Sequence, residues 1–156
     1  MSSSPAPHLD PAVERALAAS LHNGTWDLML TPDRTPEQND AMIHAAHASR
    51  HHWAAVGTAA NLARGEWLCS RVYSILGRGE PALWHARRCL EICEENGIGD
   101  WDVAGAYEAM ARASAVSGDS RATRMWLSRG HKACAVIADP EDREHIEADL
   151  GTIPAV

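Results

Sequence analysis

The chain has no phenylalanine, no surplus of positive charge, no long apolar run and no cysteine pair at redox or metal-binding spacing. Most of these absences close a class of functions. Lysine and arginine total 14 against 21 aspartate and glutamate, a formal net charge of -7. A general nucleic-acid binder needs cationic side chains facing phosphates, so nucleic acid is not an expected partner. The same balance argues against an anionic membrane surface, and no apolar stretch approaches the roughly 20 residues that span a bilayer. Residues 1–7 lack the basic and apolar regions of a secretion signal. Cys69, Cys89, Cys93 and Cys134 make no Cys-x-x-Cys pair, and a domain of this size needs no disulfide staples. Free, mostly buried thiols in a cytoplasmic protein are therefore expected.

Signatures of several enzyme classes are missing too. There is no glycine-rich phosphate loop following a strand, no Gly-x-Ser-x-Gly elbow, and no pair of Glu-x-x-His helices for a carboxylate di-iron centre. Glu94 and Glu95 sit at an expected helix end and read as solvated.

What remains is rich in alanine and free of β-branched runs, which suits helices because alanine loses no side-chain entropy there. At 46% hydrophobic and 22% charged, the composition is that of a folded chain. Aspartate or proline at helix starts and glycine just past helix ends divide it into segments. Helices are expected over about 10–22, 36–56, 58–76, 81–96, 100–117, 119–137 and 139–150, with a Gly/Thr/Pro-rich connection between the first two. That connection holds the apolar cluster Trp26, Leu28, Met29 and Leu30, which should pack back on the bundle. A disordered lead-in over 1–9 would precede a single helical domain over 10–156. Short loops between long helices force antiparallel neighbours. Six tryptophans are many to bury in one protomer, so a homo-oligomer is an open expectation.

Gly77 and Gly118 each close one helix and open a turn into the next, giving two hairpins 41 residues apart. In the first, Tyr73, Gly77, Ala82 and Leu90 fall where tetratricopeptide repeats place an aromatic, a turn glycine, a packing alanine and an apolar residue. Glu66, Ser70, Ala86 and Cys89 depart from that pattern. In the second, Tyr107, Ala111, Gly118 and Gly130 keep register. Residues 64–137 thus resemble a tetratricopeptide-like helical hairpin family. The resemblance implies an all-α fold of antiparallel helical hairpins, a short array of about seven helices. It is nearly silent on function, since such repeats are scaffolds.

In that family the first helix of each hairpin lines a concave surface. By register, Asn61, Arg64, Trp67 and Arg71 of the third helix would lie there with Glu108 and Arg112 of the fifth. Two guanidiniums beside an indole suit a carboxylate or phosphate with an apolar body. A binding module for a peptide or small anionic ligand is the first functional expectation. Ordinary salt bridging, such as Glu108 with Arg112 at i,i+4, is the plain alternative.

The second expectation is metal chemistry. Asp40, His44, His47 and His51 recur at spacings of four, three and four, which places them on one helical stripe opposite Met42, Ala46 and Trp53. His47 and His51 are spaced to share one ion, and His44 extends the set toward a divalent transition metal such as zinc, copper, iron or nickel. Further ligands would have to come from residues such as Glu66, His85 or Asp102. A solvated histidine-rich face, or one that meets a ligand without metal, gives the same pattern. His85, Cys89 and Cys93 also recur at i+4, a line read here as buried thiols filling a tight hairpin.

Overall fold

Most helix starts in this chain are set by side chains that accept backbone N–H groups. The computed structural model describes residues 8–154 and arranges them as seven α-helices with no strand among the described residues. These are α1 (Pro11–Leu30), α2 (Pro36–Val56), α3 (Ala59–Ile75), α4 (Gly79–Glu95), α5 (Asp100–Val116), α6 (Ser120–Ala135) and α7 (Pro140–Gly151). Asp10, Asp119 and Asp139 cap α1, α6 and α7, and Thr35–Gln38 and Thr58–Asn61 form reciprocal capping boxes on α2 and α3. Gly77, Gly97 and Gly118 close α3, α4 and α5 with φ of 71°, 62° and 75°. That left-handed backbone costs other residues a steric penalty that glycine escapes.

The all-α hairpin expectation holds, with one correction to its boundaries. α1 does not end near His22 but continues to Leu30. Gly24 faces open space, and the buried Thr25 returns its hydroxyl to the Leu21 carbonyl at 2.8 Å. Trp26, Leu28 and Met29 then pack on Met42, Ala46, Leu68, Cys69 and Val72. Burial of that many apolar groups outweighs a glycine penalty of about 1 kcal/mol. Pro32 stops the helix by forcing Thr31 into extended backbone. Of the lead-in expected over 1–9, residues 1–7 lie outside the described part, and His8 and Leu9 are non-helical and exposed.

Consecutive helices pair as α1–α2, α3–α4 and α5–α6, and α7 closes the array against α5 and α6. The hairpins then stack in a particular way. The backbones of α1 and α3, α3 and α5, and α5 and α7 come close together, whereas among the described residues those of α2, α4 and α6 stay apart, α2 reaching α4 through the His47 and His85 rings with centroids 5.1 Å apart. The odd-numbered helices therefore line the inner, concave side. The apolar core is distributed along the array rather than centred. One cluster joins α2 to α3 through Met42, Leu68 and Val72, with Trp26, Leu28 and Met29 of α1 packed against it. A second joins α4 to α5 through Ala82, Ala86, Leu90 and Met110, with Ala63 of α3, and a third holds α7 through Ile137, Ile146 and Leu150. Alanine at so many contacts lets helix axes come close. Two buried serines fasten hairpins across them: Ser49 donates to the Ala18 carbonyl and Ser70 to the Ala82 carbonyl, both at 2.8 Å. No described helix is long and apolar enough to cross a membrane.

Candidate functional site

The concave side carries three tryptophans from three successive odd helices. Trp26 of α1, Trp67 of α3 and Trp101 of α5 wall a cavity of about 180 Å³, with Gly105 beside them and His145, Ile146 and Asp149 of α7 closing the far side. Trp26 and Trp67 stack with ring centroids 5.8 Å apart and planes 26° apart. Arg64 lies over the Trp101 ring at 4.4 Å. His22 and Arg64 stand between this cavity and a neighbouring depression of about 200 Å³ that Asn61 and Trp53 help to line. A larger depression of about 490 Å³, beside Trp84 at the ends of α4 and α5, is wide open to solvent and includes no other tryptophan.

Gly105 is buried and lines the cavity, with room for a Cβ in ordinary contact. A Cβ built on it would come no closer than 3.9 Å to Ile146 and to the Trp67 indole. The other helical glycines beside the core are different. At Gly65 a Cβ would lie 2.8 Å from Arg50 Cδ, and at Gly130 it would lie 2.9 Å from Leu150 Cδ2. Those two permit close helix packing, whereas Gly105 leaves the cavity unfilled.

The six residues expected to bind ligand divide into three groups. Arg64 and Trp67 line the tryptophan cavity. Asn61 lines the neighbouring depression and spends its side-chain oxygen on capping Thr58. Arg71, Glu108 and Arg112 sit behind the cavity in an internal network. Glu108 is 1% exposed and its Oε1 accepts from Arg71 Nη1 at 2.8 Å and Arg112 Nε at 2.6 Å. Arg71 also reaches Asp149 at 3.5 Å, and Arg112 donates to the Asp149 carbonyl and the Thr152 hydroxyl. These three side chains tie α3 and α5 to α7. Arg64 is engaged as well, since its Nε and Nη2 meet the two carboxylate oxygens of Asp102 at 2.9 and 3.0 Å. Those hydrogen bonds push the Arg64 pKa still higher. Burial, and next the Arg64 guanidinium, push His22 below the ordinary histidine range, so His22 is neutral at pH 7.

The histidine stripe of α2 does not gather into a ligand set. His44 and Asp40 are exposed, as is His51, whose ring meets His52 edge-on. His47 turns inward instead: its Nε2 lies 2.9 Å from the Tyr73 hydroxyl and its Nδ1 lies 3.9 Å from Cys69 Sγ. The side chains considered as further ligands are committed elsewhere. His85 Nδ1 pairs with Glu66 at 2.6 Å, Glu66 also takes Arg50 at 2.9 Å, and Asp102 holds Arg64. Among the described residues no group of three or more His, Cys, Asp or Glu side chains could hold an ion. All four cysteines are buried and free. Burial, and next the Glu66 carboxylate, push the Cys69 thiol up to about 12.

Trp26, Trp101, Gly105 and the α7 residues are the parts of this site that the sequence reading missed. The repeat spacing carried a signal for some of them. Forty-one residues separate Trp26 from Trp67 and Arg64 from Gly105, the same interval as between the two turn glycines. Carried back from Trp67, that interval places an indole on α1, where a connection had been expected. Comparison of the chain with protein-family models, with curated proteins and with solved structures found no match.

Proposed function

We propose that this chain is a helical-repeat binding module that takes a peptide side chain or small molecule into the tryptophan-walled cavity between α3 and α5. The tetratricopeptide likeness belongs to this reading. It is supported by the left-handed Gly77 and Gly118 turns and by the odd helices on the concave side. The observation that carries the proposal is the convergence of Trp26, Trp67 and Trp101 on one unfilled space in front of a buried glycine. Apolar concave sites with a few fixed polar groups are where ligands bind. An unfilled apolar space and a mid-helix glycine both cost stability, and a side chain from α5 would remove both costs. Recognition of an anion by Arg64, Arg71 and Arg112 loses its support, because each of these already pairs with a carboxylate of the chain. The metal reading has no comparable support.

The test is ligand-observed NMR with a set of one-ring and two-ring fragments, run on the native chain and on Gly105→Leu and Gly105→Ala. Fragments that bind the native chain should bind Gly105→Ala more weakly and Gly105→Leu not at all, with helical circular dichroism retained. Fragments that bind all three chains alike would place binding elsewhere and overturn the proposal.

A further inference from the structure

Every charge around the cavity is matched within the chain, and this restricts what the cavity can hold. We infer that its ligand is a small uncharged aromatic molecule of one or two fused rings, an inference that rests on the binding reading above and names the ligand class for that site.

Consider first an anion. Among the described residues the only arginine lining the cavity is Arg64, and its Nε and Nη2 bond to Asp102 in a paired, two-point arrangement. A ligand carboxylate would have to displace Asp102, leaving that carboxylate unpaired in the wall, or lie beside it. The first step strands a carboxylate that is 10% exposed, and the second sets two carboxylates side by side, so each opposes the new contact. His22 offers no compensating charge, being neutral near pH 7.

Consider next a cation. Aromatic walls with carboxylates nearby would ordinarily suit one. Here two of the three indoles already carry cations, Arg64 over Trp101 at 4.4 Å and Arg71 over Trp67 at 5.8 Å. An incoming ammonium would meet those guanidiniums. The carboxylates are taken too: Asp102 by Arg64, and Asp149 by Arg71 at 3.5 Å with His145 at 3.8 Å. Behind the wall, Arg71 and Arg112 balance Glu108 and Asp149. The cavity therefore presents flat apolar faces and no spare charge of either sign.

Size and closure fix the rest. About 180 Å³ holds one ring system. α1 and α7 wall two sides, and His22 and Arg64 separate the space from the neighbouring depression. These walls leave chain flanking a peptide side chain only the open side to run along, which favours a free small molecule.

A matched set of probes sharing one indole body tests this: 3-methylindole, indole-3-acetate, tryptamine and N-acetyltryptophanamide, titrated by NMR into the native chain and into Arg64→Gln. 3-Methylindole should bind at least about tenfold more tightly than either charged probe, because burying an unpaired charge costs far more than that factor. N-Acetyltryptophanamide should bind no more tightly than 3-methylindole. Tighter binding of indole-3-acetate, lost in Arg64→Gln, would make Arg64 an anion clamp; tighter tryptamine would make the indoles a cation cage. Either result, or equal affinity for all charges, overturns the uncharged class and leaves a binding module standing. Tighter N-acetyltryptophanamide would assign the site to peptides and overturn the small-molecule class. No binding by any probe overturns both this inference and the binding reading.

Discussion

Gly65 and Gly105 are both buried glycines inside helices, and they are glycine for opposite reasons. Gly65 lets α2 approach α3, with Arg50 against it, while Gly105 has only loose contacts at 3.9 Å. The two should respond with opposite signs. Gly105→Ala is expected to raise stability by about 0.5–1 kcal/mol, the usual gain when a helical glycine becomes alanine without strain. The same change should weaken binding of 3-methylindole. Gly65→Ala should lower stability, because its Cβ would sit 2.8 Å from Arg50 Cδ. Urea denaturation of both variants checks this, and shifts of the same sign would contradict it. Glu108 gives a second residue-scale expectation. Its removal strands two guanidiniums that are mostly buried, so Glu108→Ala should cost about 3–5 kcal/mol. A cost under about 1 kcal/mol, the range of exposed pairs, would mean the network is not structural. At this scale Arg64 and Trp67 were legible because they share a face of α3. The i,i+4 pairing of Glu108 with Arg112 was legible from spacing alone. That the arginines already pair with carboxylates was not, because Asp102 and Asp149 reach them from other helices.

Among the elements, six of the seven helices were readable within a few residues, because Asp, Thr and Pro at their starts and Gly at their ends act locally. α1 was not, because what extends it past Gly24 is burial of Trp26, Leu28 and Met29 against α2 and α3, a tertiary effect that overrides a local breaker. Gly24 is therefore a helical glycine facing open space. Gly24→Ala should stabilise the protein by up to about 1 kcal/mol, whereas in a flexible connection it would do nothing measurable in thermal unfolding. The junction of α2, α3 and α4 gives a pH dependence. Burial, and next the neighbouring His85, hold His47 below its ordinary value of 6.5, with His44 adding to the lowering and Glu66 opposing it. Tyr73, Cys69 and the Arg78 guanidinium over Tyr73 complete the surroundings. The unfolded chain then takes up a proton that the folded chain resists. His47's contribution to stability is present above about pH 6.5 and is lost as pH falls through its lower folded value. Stability of the native chain should drop between about pH 7.5 and 5.5 by more than that of His47→Gln. Identical slopes in urea titrations would contradict the assignment. The histidine stripe misled for a related reason. Periodicity placed His47 with His44 and His51, but a ring at the edge of a helical face can turn toward the neighbouring helix, and Tyr73 and Cys69 are there to receive it.

For the whole molecule, stacking of hairpins explains why the site was only half visible beforehand. Residues that share a helix face are legible from a 3.6-residue period. Residues that meet because α1, α3, α5 and α7 share a concave side become legible only once the stacking is known. The 41-residue interval between Trp26 and Trp67 is the trace of that stacking in the chain. Carried forward from Gly105 and Glu108, the same interval reaches Ile146 and Asp149, but α7 closes the array without opening another hairpin, so their place in the wall was not legible from the turn glycines. Trp84, 58% exposed on the outer side, stands apart from the cavity, as do Trp53 and Trp126. This division of the six indoles allows one direct measurement of the central claim, that the cavity is where ligand binds. The six indole N–H resonances of the ¹⁵N-labelled protein, assigned by single substitutions, are followed while 3-methylindole is added. Trp26, Trp67 and Trp101 should shift together along one saturating curve, with the Gly105 amide moving alongside them and Trp84 and Trp126 unmoved. Saturating shifts centred on Trp84, or no saturating shift at the three cavity indoles, would contradict it.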